Sequence, residues 1–257
     1  LPIDLMAFDV IVAIFVNDTF SNMGTDSGRE EQLIEKICFF DMDKTLIAGN
    51  SGVSFMQYSF RRGKTTRWKL IKSLFDYVRY RYDFINMEKA YRASLRPLIG
   101  KREEELSQFC QEWFEEVVKG IVYPEAMDIV RRHKEAGEVV AIISNAVTHV
   151  VEPLGRYLGV SHVLATRLEV HGGLFTGNYI SPLCFRKGKV FWAEKLAIGL
   201  GGRLQDSAFY TDSITDLPLL ERVRDPRVVN PDPKLRAVAR KRGWPILHFK
   251  PPHKYAG

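Results

Sequence analysis

The sequence predicts an α/β protein: an open, mainly parallel sheet, interrupted by an all-helical segment and carrying one β-hairpin. Three observations lead there. Short apolar runs alternate with helical patterns from about residue 121 onward. Residues 51–120 show helical spacing and few strand signals. Alternating residues on both sides of His171-Gly172-Gly173 have the pattern of a hairpin. A chain of 257 residues has room for one large domain, or for one domain with another inserted.

The elements follow in order. IDLMAFDVIVAIFV (3–16) is mostly apolar but carries Asp4 and Asp9, too short and too charged for a transmembrane helix. It has neither the basic n-region nor the small-residue cleavage site of a signal peptide. The chain begins with Leu, and Met23 heads the polar stretch MGTDSGREEQ. Two readings stand: within an N-terminal segment 1–30, residues 1–22 are an upstream extension with Met23 the functional start, or the apolar run is a short strand or helix packed on the core.

Residues 36–42 read as a buried parallel strand, an apolar run followed by a turn. VSFMQYSF, RWKLIKSLFDYVRYRY, MEKAYRASL and EEELSQFCQEWFEEVV have helical spacing; Pro97 and Gly100 punctuate them and Gly120 ends the block. The expected division is therefore a core of residues 31–50 and 121–257 with a helical insertion at 51–120. PEAMDIVRRHKEAG opens on Pro and closes on Gly137, as a helix does. VVAIIS (139–144) is a second strand, and THVVEPLGRYLG a helix interrupted near Pro153. Residues 163–170 and 174–180 form the hairpin. GKVFWAEKLAIGL is a helix, SAFYTD (207–212) a third strand, TDLPLLERV a short helix, RVVN (227–230) a fourth strand, PKLRAVARKRG a helix and ILHF a last strand.

The 46% hydrophobic and 26% charged content is that of an ordinary globular protein. The net charge of +6 is uneven: residues 61–102 hold 13 Lys/Arg and 3 Asp/Glu, leaving about −4 for the rest. A solvated helical face accounts for this basic stretch; steering of an anionic substrate is another use. WKLIKSLFDYVRYRY interleaves aromatics with cations, as some nucleic-acid binders do, but at helical spacing those aromatics read as core. Neither nucleic acid nor a membrane is expected as a partner, and the oligomeric state stays open. Cys38, Cys110 and Cys184 are few, distant and odd in number, which suits a reducing, cytoplasmic setting. No Cys/His spacing for zinc appears, and the six histidines read as structural or exposed.

Parallel α/β sheets bind ligands beyond the C-terminal ends of their strands. Asp41 and Asp43, Ser144 and Asn145, and Asp212 fall at such ends. Asp41, Asp43, Asp212 and Asp216 in one crevice would need a cation, and oxygen ligands with room for water suit Mg²⁺. A carboxylate beside a divalent cation can attack phosphorus, and a second carboxylate can protonate the leaving group and activate water. Ser144 and Asn145 at a strand end suit phosphate oxygens, and a lysine would cancel charge on the transferring group. Lys187 and Lys189 are both candidates; Lys189 shares a helical register with the apolar Trp192, Ala193 and Leu196.

DMDKT at 41–45, Ser144 after an apolar strand, Lys189 opening a helix and DSITD at 212–216 together resemble the haloacid dehalogenase superfamily of phosphatases. The helical block resembles that superfamily's C1-type cap, as in phosphoserine phosphatase. LATRLEV, the Gly-Gly hairpin, FTG, the CF/GKV segment, DLPLL, VNPDPKLR and RGWPIL resemble a bacterial branch of subfamily IB, some of whose members look like histidinol-phosphate phosphatases. The resemblance spans about residues 36–249. It implies a Rossmann-like core, a helical cap and a hairpin flap beside the site. It also implies that Asp41 is the nucleophile and a Mg²⁺ ligand, and that Asp43 is the general acid/base and binds Mg²⁺ through its carbonyl. Ser144, Asn145 and Lys189 would bind the phosphate, Asp212 would ligate Mg²⁺, and Asp216 would support it from nearby. Two departures stand out. Thr211 precedes Asp212 where the family has Gly, and LIAGNSG places Asn50 where phosphoserine phosphatases have a Glu for the substrate amine. The implied function is Mg²⁺-dependent hydrolysis of a small phosphate ester, histidinol phosphate or phosphoserine-like, through an aspartyl phosphate. The alternatives are a phosphotransferase using that intermediate, or a non-enzymatic nucleic-acid or membrane-binding module with a basic cap.

Overall fold

In the computed structural model of the chain, residues 36–64 and 87–252 are described. The readings made on residues 1–30, and on RWKLIKSLFDYVRYRY, fall outside these. Strand β1 (Ile37–Phe40) is followed by α1 (Ser51–Arg61), α2 (Met87–Leu95), α3 (Glu103–Trp113) and α4 (Pro124–Glu135). Then come β2 (Val139–Val147), α5 (Thr148–Leu158), β3 (His162–Thr166), and the hairpin strands β4 (Leu168–His171) and β5 (Leu174–Tyr179). The chain continues through α6 (Lys187–Gly199), β6 (Ala208–Thr211), the short α7 (Leu217–Leu220), β7 (Asp225–Val229), α8 (Pro233–Arg242) and β8 (Ile246–Leu247).

Six strands pair in the order β3-β2-β1-β6-β7-β8, all parallel, with β1 near the centre. Every residue of β1 is buried because helices cover both faces of the sheet. The two-residue period divides its side chains between two apolar layers. Cys38 and Phe40 join Val140, Ile142 and Tyr210 under α4 and α5. Ile37 and Phe39 join Ala141, Ile143 and Phe209 under α6, α7 and α8. Leaving Phe39 exposed instead would forfeit about 1.5–3 kcal/mol.

The first layer runs on into the helical block. Tyr58, Cys110, Trp113, Phe114 and Val118 belong to the same apolar cluster as Phe40. Phe55 of α1 meets Phe109 and Trp113 of α3 edge to face, with ring centroids 5.6 and 5.5 Å apart. Beyond Trp113 the helix widens into a π-turn at Phe114–Val118.

Several expectations are corrected. The segment read as one hairpin strand, 163–170, is divided: β3 is an edge strand of the parallel sheet and β4 alone pairs with β5. Apolar alternation is common to both partners and could not show the break at Arg167. Helix α5 is not interrupted at Pro153, which lies inside it. The lost N–H costs one backbone bond, and the buried Val150, Val151 and Leu154 hold the helix on the sheet. Strand β2 passes beyond Ser144 to Val147, with a register shift between Ile143 and Val147.

The hairpin turns at Gly172 and Gly173, whose φ values of 58° and 76° suit a tight two-residue turn. Its strand β5 is fastened to the helical block: Gly100 N–H donates to the Phe175 carbonyl, and Phe175 N–H to that of Lys101. Leu168, Phe175 and Tyr179 pack with Leu95, Tyr91 and Phe185. All three cysteines are free and buried. Among the described residues no helix is long and apolar enough to cross a membrane.

Candidate active site

The C-terminal ends of β1, β2 and β6 open into one cleft. Asp41, Asp43, Asp212 and Asp216 line it, together with Asn145 and Lys189. The six come from segments far apart in sequence, joined by the parallel pairing of β1 with β2 and β6.

Lys189 is the hub. Its Nζ donates to Asp41 Oδ1 and to Asp216 Oδ2, both at 2.7 Å, and only 2% of the residue is exposed. Lys187 is exposed, so Lys189 is the lysine that meets the aspartates. Gly188 lets it do so. A Cβ at that position would lie 1.8 Å from the Leu183 carbonyl oxygen, so only glycine lets the first turn of α6 press against the loop before it. Burial opposes the charge on Lys189, but the Asp216 and Asp41 carboxylates outweigh it and hold the pKa above the usual lysine value.

The carboxylates carry an unbalanced charge. Burial, with the charges of Asp216 and Asp43, pushes Asp41 up to about 7 despite Lys189. Burial and the nearby Asp41 charge raise Asp212 well above the ordinary aspartate value. Among the described residues no group donates a hydrogen bond to the Asp212 carboxylate, which is 8% exposed. Lys189, Lys44 and Arg186 bring three positive charges to a cleft lined by four acids, before any phosphate adds its own negative charge. A hard divalent cation would neutralise the excess, and the all-oxygen donor set fits Mg²⁺.

Asp43 points elsewhere. Its Oδ1 accepts the Ser51 N–H at 2.8 Å, at the start of α1, and its Oδ2 accepts from Asn50 Nδ2 at 3.2 Å. Burial raises its pKa and the Ser51 N–H partly offsets this. Asn50 is also the N-cap of α1, its Oδ1 accepting the Val53 N–H at 2.9 Å. The residue that departs from the phosphoserine phosphatase pattern thus orients Asp43 and starts a helix.

Of the pair on β2, Asn145 is exposed and lines the cleft. Ser144 is buried, and its Oγ accepts the Ala146 N–H at 3.2 Å, which leaves its own hydroxyl proton to donate. Two further residues hold the acids in place; the sequence marked Thr211 only as a departure from the family pattern and did not single out Asp232. Thr211 donates its hydroxyl to Asp216 Oδ2 at 2.7 Å. Asp232 accepts the Ile214 and Leu235 N–H groups at 2.9 Å, clamping the loop after Asp212 while capping α8. The Asp232-Pro233 pair is a helix-start signal that could have marked it. Arg186, at φ 50°, and Phe185 also line the cleft.

The sequence model of the haloacid dehalogenase-like hydrolases matches residues 38–221. A probable phosphatase of Mycobacterium tuberculosis is 35% identical over 219 residues, 83% of this chain and 75% of that protein. A histidinol-phosphatase of Neisseria meningitidis is 30% identical over 222 residues, covering 84% of this chain and all of that protein. A solved structure of a protein of unknown function from Bordetella pertussis superposes with a TM-score of 0.76 at 32% identity, covering 83% of this chain and 98% of the other. With its parallel sheet, its four clustered aspartates and a matching stretch that runs from β1 past α7, the chain belongs to the haloacid dehalogenase-like hydrolases, as an enzyme of the phosphatase kind.

Proposed function

We propose that this chain is a Mg²⁺-dependent phosphomonoesterase for a small phosphorylated metabolite, histidinol phosphate or a phosphoserine-like ester, working through a phosphate carried on Asp41. The observation that carries the reading is Lys189, buried and bridging Asp41 and Asp216 at 2.7 Å each. The core is assigned to residues 31–50 and 121–257, and a helical cap to 51–120. The free, buried cysteines suit a reducing cytoplasm.

Asp41, the Asp43 carbonyl and Asp212 would hold the cation, with Asp216 kept close by Thr211 and Lys189. When bound, Mg²⁺ neutralises the clustered carboxylates and the phosphate oxygens. Lys189 orients the Asp41 carboxylate and stabilises charge on the transferring group. Asp41 attacks phosphorus, and the P–O bond to the alcohol breaks as Asp43 gives its proton to the leaving oxygen. Asp43 then takes a proton from water, which hydrolyses the acyl phosphate and restores Asp41. Ser144 and Asn145 hold phosphate oxygens through this cycle. The hairpin, fastened to the cap at Gly100 and Lys101, helps close the cleft against bulk water.

The choice of ester rests on two points. The Neisseria relative named a histidinol-phosphatase is matched along its whole length. Asn50 is occupied by Asp43 and by its cap, leaving no free acid at that position for the amine of phosphoserine. A panel of histidinol phosphate, phosphoserine, sugar phosphates and lysophosphatidate, assayed with and without Mg²⁺, tests the reading. Acid-quenched protein should carry phosphate on Asp41. If no ester is turned over, or if turnover persists without Mg²⁺ in Asp41→Asn protein, the proposal fails.

A further inference from the structure

A second cluster of ligand-type side chains lies on β1 itself, under α4 and apart from the aspartates. Cys38, in β1, His133, in the last turn of α4, and Glu138, just before β2, bring their donor atoms within 4.8 Å of one another. Cys38 Sγ is 3.2 Å from His133 Nδ1 and 3.2 Å from Glu138 Oε2. His133 Nδ1 and Glu138 Oε2 are also in direct contact. A tight turn at Gly137 sets the last two beside each other.

Each outer atom is held as well. His133 Nε2 is 2.9 Å from the Tyr210 hydroxyl, which leaves Nδ1 facing the sulfur. Glu138 Oε1 is 3.2 Å from Lys36 Nζ, which leaves Oε2 facing inward. Groups that fix the far side of a ligand are what a metal centre needs to keep its geometry. Cys38 is fully buried, while the side chains of His133 and Glu138 are 15% and 22% exposed, so solvent reaches the cluster at these two residues.

We propose that Cys38, His133 and Glu138 form a second metal site, for a thiophilic divalent ion of the zinc type, with water as fourth ligand. One thiolate, one carboxylate and a dication sum to zero charge, which suits a half-buried site. Metal–sulfur and metal–nitrogen bonds of about 2.3 and 2.0 Å place tetrahedral ligands about 3.5 Å apart. The two Cys38 separations of 3.2 Å are close to this, whereas His133 Nδ1 and Glu138 Oε2, in direct contact, must move apart as the ion enters. Sulfur selects against Mg²⁺, so the two sites take different ions. The bound proton of the thiol leaves to solvent as the metal enters. The ion fastens the end of α4 to the starts of β1 and β2 and takes no part in hydrolysis.

The test is a Co²⁺ titration of the metal-free full chain in excess Mg²⁺, which occupies the aspartates. A thiolate-to-cobalt charge-transfer band should grow in the near ultraviolet, saturate at one equivalent and vanish on adding Zn²⁺. Cys38→Ser should abolish it, whereas Cys110→Ser and Cys184→Ser should not. Glu138→Gln should weaken Co²⁺ binding by about tenfold or more. The aspartate site has no sulfur, so this readout is independent of the proposed hydrolysis. Absence of the band in folded wild-type protein, or its survival in Cys38→Ser, overturns the proposal.

Discussion

Lys189 Nζ stands 2.7 Å from Asp41 Oδ1 and the same distance from Asp216 Oδ2, although 148 residues separate Lys189 from Asp41. Removing a buried charge from such a bridge leaves two carboxylates facing each other. Lys189→Met should cost about 3–5 kcal/mol of stability and lower kcat by about 10²–10³-fold. Lys187→Met, at an exposed position, should do neither. Urea unfolding beside Mg²⁺-dependent ester hydrolysis measures both effects.

Asp41→Asn removes the proposed nucleophile while keeping an oxygen for Lys189. Turnover should fall by about 10³-fold or more, with the circular dichroism unchanged. A variant within tenfold of wild type would show that phosphorus is attacked by another group.

The aspartates make the metal-free protein sensitive to pH, and the sign follows from Asp41. Its pKa in the folded chain, about 7, lies above the unfolded value of about 3.9. The folded state therefore binds more protons, and stability falls as pH rises between these values. Asp212, raised in the same direction, adds to the slope. Metal-free protein should melt at a lower temperature at pH 7.5 than at pH 5, and Mg²⁺ should raise the melting temperature more at pH 7.5. Calorimetry with and without chelator decides this; equal shifts at both pH values would contradict it.

Gly188→Ala places a methyl group where the Leu183 carbonyl oxygen sits. The first turn of α6 must move, and Lys189 moves with it. Overpacking of this kind costs about 1–3 kcal/mol. Activity should fall further than stability alone accounts for, which a comparison of kcat with folded fraction at low temperature would reveal.

Asn50→Asp separates two roles of one side chain. Asp caps a helix as well as Asn does, so α1 should remain intact. The change removes the donor to Asp43 Oδ2 and puts a like charge beside it. The Asp43 pKa should rise. The limb of the kcat–pH profile that reports the acid should shift to higher pH, with little change in thermal stability.

The alternation of apolar runs with helical patterns was enough to place β1, β2, β6 and β7, because a strand covered on both faces has no polar face to hide. DMDKT and DSITD stood out because acids directly after a buried run are costly without a partner. These features are local, and the sequence by itself determined them. The sequence also named Asp41, Asp43, Asn145, Lys189, Asp212 and Asp216, which line one cleft, and Ser144, which is buried beside Asn145 and is not part of that lining.

Other features depended on which segments became neighbours. Whether residues 163–170 form one strand or two turned on β2 being free to pair with β3. The clamp by Asp232 arises where the loops after β6 and β7 meet, while the hold of Thr211 on Asp216 and the double use of Asn50 depend on how a single loop folds back on itself. Cys38 and His133 are 95 residues apart with no metal spacing between them, and only the parallel sheet and the turn after α4 bring sulfur and imidazole to 3.2 Å. Spacing along a chain reports contacts within one helix or strand; strand order brings distant segments together, and that is a property of the packed core.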